Sequence, residues 1–149
     1  MIIQDAWQLS FDFPGSLPIL VQPSESQVSS DAGLLPLRQL DERLGLTQQF
    51  AEVLTDRRHV GYIDHTFLEM TRARLYGILA DYADQNDHDV LRSDPIFKLI
   101  CGRGIEEDDL AGQPTLSRFE NAIDTKSFFR LRDIFLDQLL LPLTSLPGN

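Results

Sequence analysis

Three short stretches carry side chains suited to chemistry, and what they suit is contact with a polyanion. Arg57-Arg58-His59 is the densest basic cluster in the chain. Two guanidiniums this close form a phosphate clamp. With Asp56 beside them, the same residues also read as a solvated loop that neutralises itself. Gln113–Arg118 contains Pro114, which fits the first turn of a helix. Backbone N–H groups at such a terminus suit a phosphate; Thr115 and Ser117 add hydroxyls and Arg118 adds charge. The plainer reading is a capped helix, with Leu116, Phe119 and Ile123 inward and Arg118 paired with the acids before it. Gln48 and Gln49 follow Gly45 at the start of a short helix, in the outline of a helix-turn-helix. Amides there read adenine edges. Two packed helices joined by a glycine account for the same pattern.

Other clusters point to structure. Asn86-Asp87-His88-Asp89, with Asp81 and Asp84 nearby, offers oxygen and nitrogen ligands. The glycine and distal glutamate of an EF-hand loop are absent from it, and helix capping by Asn86 or Asp87 explains it better. His59, Asp64 and His65 form a looser group. No HExxH or CxxC spacing occurs. Cys101 has no activating neighbour in sequence and reads as a small buried residue. Gly102-Arg103-Gly104 is not a nucleotide loop, and there is no GxSxG elbow. No catalytic residue, metal site or cofactor is assigned.

A chain of 149 residues fits one domain. Its formal charge of −10 opposes nucleic-acid binding through the average field, so DNA contact needs a local basic patch. The cations are almost all arginine, with lysine only at Lys98 and Lys126. Arginine's planar fork serves phosphate and carboxylate equally well. No apolar run approaches a membrane span, and the N-terminus lacks a basic signal region. The single cysteine fits a reducing, cytoplasmic setting.

The elements that must position these residues are mainly helical. The expected fold is mainly α: a multi-helix domain over residues 31–149, with residues 1–30 as a short β-hairpin or extended segment. Trp7, Leu9, Phe11 and Phe13 alternate with polar residues, as in a strand. Pro14-Gly15 signals a turn, Leu17–Val21 a second strand, and Ser24–Ser30 a loop. Ser30 or Asp31 caps a helix over 32–44 with Leu34, Leu37, Leu40 and Leu44 on one face, ended by Gly45. Thr47 caps a second helix to about Leu54. Thr66 and Glu69 have capping-box spacing for a third, which reaches about Tyr82 with Leu68, Leu75, Leu79 and Tyr82 inward. Short helices follow over 87–92 and after Pro95. Glu106–Asp109 is an acidic solvated stretch, and a helix from Pro114 reaches about Ile123. The last helix, from Thr125 to Pro142, carries Phe128, Leu131, Phe135 and Leu139 as an apolar stripe that Phe129, Leu136 and Leu140 widen.

Three segments then carry a resemblance. Val28–Leu46 contains SDAG at 30–33 and LDERLGL at 40–46. Arg74–Arg103 contains NDH at 86–88 and LRSDP at 91–95. Leu110–Ile123 contains Ala111-Gly112 and TLSRFE at 115–120. In order and spacing they resemble the N-terminal part of bacterial DDE transposases of the IS1380 type. Asp81 stands where that family usually has glycine, and Gln113-Pro114 replace a commoner lysine-serine.

The resemblance implies DNA transposition, and a helical region that contacts DNA ends and other parts of the transposase. It also implies an RNase H-like core whose acids hold two divalent metals. That core is expected beyond Asn149, so none of its acids maps onto this chain, which is expected not to be an enzyme by itself. The expected partner is terminal-repeat DNA, through Gln48, Gln49, Arg57, Arg58, Thr115, Ser117 and Arg118. The alternative is an acidic helical interaction module that associates with itself or with full-length transposase. Its surface would comprise Phe128, Leu131, Phe135, Leu136, Leu139 and Leu140, unless Trp7, Phe11 and Phe13 of the hairpin fold back over them.

Overall fold

The computed structural model describes residues 9–13, 18–21 and 31–144. Trp7, Pro14-Gly15, Leu17 and Ser24–Ser30 lie outside the described residues. The fold is mainly helical with one two-stranded sheet, as the sequence leads one to expect. Strands β1 (Leu9–Phe11) and β2 (Ile19–Val21) pair antiparallel, with Phe11 opposite Ile19. Alternation turns Phe11 inward, where it joins Leu34, Leu35, Tyr76, Phe97 and Ile100 in the main core. A lone hairpin is marginal in water; this one is held by the helices it packs on.

Helix α1 (Leu34–Leu44) has Gly33, not Ser30 or Asp31, at its N-cap position. Its buried face is Leu34, Leu35, Arg38 and Asp41. This overturns the expected leucine stripe: Leu37, Leu40 and Leu44 are 39%, 49% and 45% exposed. The inward face holds a charge because its polar atoms find partners there. Arg38 Nε donates to Ile100 O at 2.8 Å, and Asp41 Oδ2 accepts from Tyr76 OH at 2.9 Å. A buried ion costs several kcal/mol unless its hydrogen bonds are made.

Gly45 (φ 65°) closes α1 in the left-handed conformation and donates to Asp41 O at 2.7 Å. Helix α2 (Leu46–Val53) begins at the next residue. Thr47 is not its cap; it is fully buried, and its N–H and hydroxyl both donate to Asp41, at 2.9 and 2.5 Å. A one-residue corner locked this way is tighter than the three- or four-residue turn of a helix-turn-helix.

Helix α3 (Phe67–Leu79) is capped by Thr66, whose Oγ1 accepts from Glu69 N at 3.1 Å. Its buried face carries Met70, Ala73, Tyr76 and Gly77, and Leu79 is exposed. The inward face is therefore rotated from the expected Leu68-Leu75-Leu79-Tyr82 set. The helix stops short of Tyr82 because Asp81 takes a left-handed φ of 70°. Tyr82 N then donates to Gly77 O at 2.8 Å.

A 3-10 turn (Gln85–Asp87) leads into α4 (His88–Leu91). Asp84 caps that turn, rather than Asn86 or Asp87, accepting from Asn86 N at 2.9 Å. Helix α5 (Pro95–Cys101) is capped by Asp94 and ended by Gly102. Helix α6 (Gln113–Asn121) buries Leu116 and Phe119, which join Met70 and Ala111 in a second cluster flanked by Leu54 and Phe67.

Helix α7 (Thr125–Thr144) packs on α2. It continues through Pro142, where only one ladder hydrogen bond is forfeited close to the helix end. Ser127 is buried and Leu131 and Ile134 are half-buried. The other members of the apolar set, Phe128, Phe129, Phe135, Leu136, Leu139 and Leu140, are 43–60% exposed. The hairpin does not cover them among the described residues; Phe11 and Phe13 pack instead on the main core.

Candidate nucleic-acid interface

Most of the basic residues are consumed by structure. Arg38 ion-pairs with Glu42, and Arg72 bridges α3 to α1 through Glu42 at 3.5 Å. Arg74 ion-pairs with Glu120 and sets one N–H against His88 Nε2 at 3.1 Å. Arg103 donates to Glu69 Oε2 at 2.6 Å, Asp64 O at 2.8 Å and Asp109 O at 3.2 Å. Lys98 is buried and donates to Ile105 O at 2.7 Å and to Glu107 O. The acidic stretch Glu106–Asp109 is solvated, as expected, but its backbone is stapled by these two cations.

The remaining cations of interest meet at a cavity of about 740 Å³. The loop after α2 supplies Leu54, Arg57 and Arg58, and a 3-10 turn (Val60–Tyr62) supplies Tyr62. Phe67 and Met70 come from the start of α3, and Thr115, Arg118 and Phe119 from one face of α6. Asp124 and Ser127, at the start of α7, close it. Arg57 and Arg58 in the loop after α2 are thus brought together with Thr115 and Arg118 on α6, at least 57 residues further along the chain.

Within this site the arginines differ. Arg58 forks onto Asp56 and donates to His65 O at 3.0 Å. Its guanidinium lies over the Phe67 ring at 4.7 Å from the centroid. The hydrogen bonds to Arg58 pull the Asp56 carboxyl below its usual range, and the same bonds push Arg58 up. Arg57 and Arg118 are exposed and hold no ion pair within 4 Å among the described residues. Asp124 accepts from Ser127 N at 2.7 Å, which lowers its pKa, with Arg57 adding a smaller pull. Arg118 is not paired with the acids before it: Asp109 is engaged by Arg92 at 3.4 Å. Among the lining residues three arginines balance three aspartates (Asp56, Asp64 and Asp124), so this region escapes the acidity of the whole chain.

The other sequence candidates stand elsewhere. Ser117 is half-buried on α6 and does not line the cavity. Gln48 donates to Glu52 Oε1 at 2.8 Å, and Gln49 to Leu44 O at 3.1 Å. The α6 N-terminus already has an acid: Gln113 N donates to Asp89 Oδ1 at 3.1 Å. Sequence reasoning did not single out Tyr62 or Phe67. Tyr62 is 81% exposed at the cavity and stands against His59, ring centroids 5.6 Å apart. No periodicity marks it, because it sits in a three-residue turn.

Among the described residues no three His, Cys, Asp or Glu side chains are grouped to hold a metal. Asp41, Glu69 and Glu120 are each bound to arginine, tyrosine or threonine partners. His88 is buried against Phe97, not presented as a ligand. Cys101 is buried, and that burial pushes its thiol well up, which keeps it unreactive. No helix among the described residues is long and apolar enough to cross a membrane.

Fold and site together define a helical domain with an arginine-edged, aromatic-lined cavity. The chain belongs to the transposase DDE family: the family model described as transposase DDE domain group 1 matches residues 14–143. No curated protein and no solved structure matches it.

Proposed function

We propose that this chain is a helical DNA-end recognition region of an IS1380-type transposase, working in the cytoplasm and supplying no catalytic acids of its own. The observation that supports this reading is the meeting of Arg57 and Arg118, unpaired and exposed, with Thr115 at one cavity. Cations free of carboxylate partners are available to phosphate, and phosphate contacts fix a protein's register on DNA. The −10 charge limits nonspecific affinity, so binding is local and strongly salt-dependent. The test is binding to duplex DNA from the ends of the encoding element across a salt series, for the native chain and an Arg57→Ala, Arg118→Ala variant. Absence of binding at low salt, or an unchanged salt slope in the variant, sinks the reading. Purified chain with Mg²⁺ or Mn²⁺ should leave the same DNA uncut.

A second reading rests on α7. Its exposed phenylalanines and leucines stand together on one helix, and contiguous apolar surface of this kind marks interaction sites. We infer that this face associates with another part of the transposase or with a second copy.

A further inference from the structure

We propose that the cavity between α3, α6 and the loop after α2 receives a single unpaired nucleotide, stacking its base and clamping its phosphate. This rests on the DNA-recognition reading above and specifies what part of the DNA enters.

The size comes first. About 740 Å³ is the range of small-molecule sites. It holds one nucleotide and is too small for a duplex, which offers only phosphates and groove edges because its bases remain stacked. Flat surfaces inside a concave site serve a base that has left the stack.

Two such surfaces line this cavity. Arg58 is held flat by the fork from Asp56, with one face against Phe67. It also lines the cavity, and guanidinium planes stack on bases. Tyr62 is the second, an aromatic ring left in solvent at the same cavity. An exposed tyrosine contributes nothing to the core, whereas aromatic platforms beside cations are the usual means of holding single strands. Leu54, Met70, Phe119 and Ile123 supply further apolar wall. Arg57 and Arg118 supply the charge for the phosphate, and Thr115 a hydroxyl for either a phosphate or a base edge. The pattern is a base slot with a cationic rim. A free nucleotide shares this chemistry; the strand end is favoured because the chain belongs to a DNA-rearranging family.

The experiment uses the full chain and three probes: a blunt duplex, the same duplex with a short single-stranded tail carrying 2-aminopurine at its first unpaired position, and a deoxynucleoside monophosphate. The tail should tighten binding about tenfold, within the range of one stacked base, and 2-aminopurine fluorescence should be quenched. Tyr62→Ala should remove most of the tail's gain, weakening tailed DNA much more than blunt duplex. Tyr62→Phe should retain the gain. Equal binding of tailed and blunt DNA with unquenched fluorescence overturns the base slot while leaving duplex recognition standing. A Tyr62→Ala loss that is equal on both DNAs also overturns it. A mononucleotide that competes as well as tailed DNA replaces the strand end with a free nucleotide. Failure of both DNAs to bind removes the slot and the recognition reading together.

Discussion

Arg58 meets both carboxylate oxygens of Asp56, Nε to Oδ1 at 2.8 Å and Nη2 to Oδ2 at 2.5 Å, two residues away along the chain. This fork turns a residue that looks free in sequence into part of a platform. It separates Arg58 from Arg57, its immediate neighbour, which has no such pair among the described residues. Two adjacent arginines therefore have different work.

The first prediction follows from that difference. Replacing Arg57 and Arg118 by alanine should lower the slope of log affinity against log salt by nearly two units, about 0.9 for each lost phosphate contact. It should leave the melting temperature nearly unchanged. Arg58→Ala should do the reverse in part: a loss of about 1–2 kcal/mol, from a partly exposed ion pair and a cation–π contact. Thermal melts and salt-dependent binding on the three proteins separate the two roles.

Arg103 joins four places at once: Glu69 on α3 and the carbonyls of Asp64, Asp108 and Asp109. Its side chain and that of Glu69 are only 13% and 10% exposed. Arg103→Ala removes the arginine from a mostly buried carboxylate, leaving it only His65 Nδ1 at 2.7 Å, and should cost about 3 kcal/mol. The acidic stretch should also become the first site of proteolysis, since it loses its staple. Limited digestion and denaturant titration check both effects.

Asp81 occupies a left-handed conformation that L-residues other than asparagine and aspartate rarely take. It stands where the resemblance leads one to expect glycine, and the backbone shows why glycine suits the place. Asp81→Gly should stabilise the chain by about 0.5–1 kcal/mol. Asp81→Val should destabilise it by more than that. A change of the opposite sign for the glycine variant, read by chemical denaturation, would refute this account.

His88 provides the pH dependence. Burial is the main cause of its lowered pKa, and Arg74 beside it adds to the effect. Arg74 can only donate, so His88 Nε2 accepts and the proton sits on Nδ1. A depressed folded pKa means the unfolded chain binds the proton more readily. Stability from neutral His88 is therefore present above about 6.5 and lost as pH falls through its folded value. Asp56, Asp84 and Asp124, whose pKa values are also lowered, withdraw stability only below about 3.8. Melting temperature should fall from pH 7.5 to 5.5, and a His88→Gln variant should lose that slope.

The exposed face of α7 gives the last prediction. Sedimentation of the native chain should show association that Leu136→Asp, Leu140→Asp abolishes without unfolding the protein. Two well-folded monomers would remove the association reading.

The sequence by itself determined the helical class, the hairpin, and the caps that depend on neighbours in the chain. Thr66 with Glu69, Gly45 after α1 and Pro114 at α6 are legible because capping is settled within four residues. Helix faces were less legible. The stripe Leu34-Leu37-Leu40-Leu44 obeys helical spacing, yet α1 turns Arg38 and Asp41 inward because Ile100, Thr47 and Tyr76 complete their hydrogen bonds. Ile100 and Tyr76 lie far away in sequence, and spacing along one helix carries no information about them. The site divides the same way. Arg57, Arg58, Thr115 and Arg118 were recognisable by type, but only packing of α6 against α3 placed them on one cavity. Tertiary contacts decided which cations remained free, because an arginine serves a carboxylate or a phosphate with the same fork.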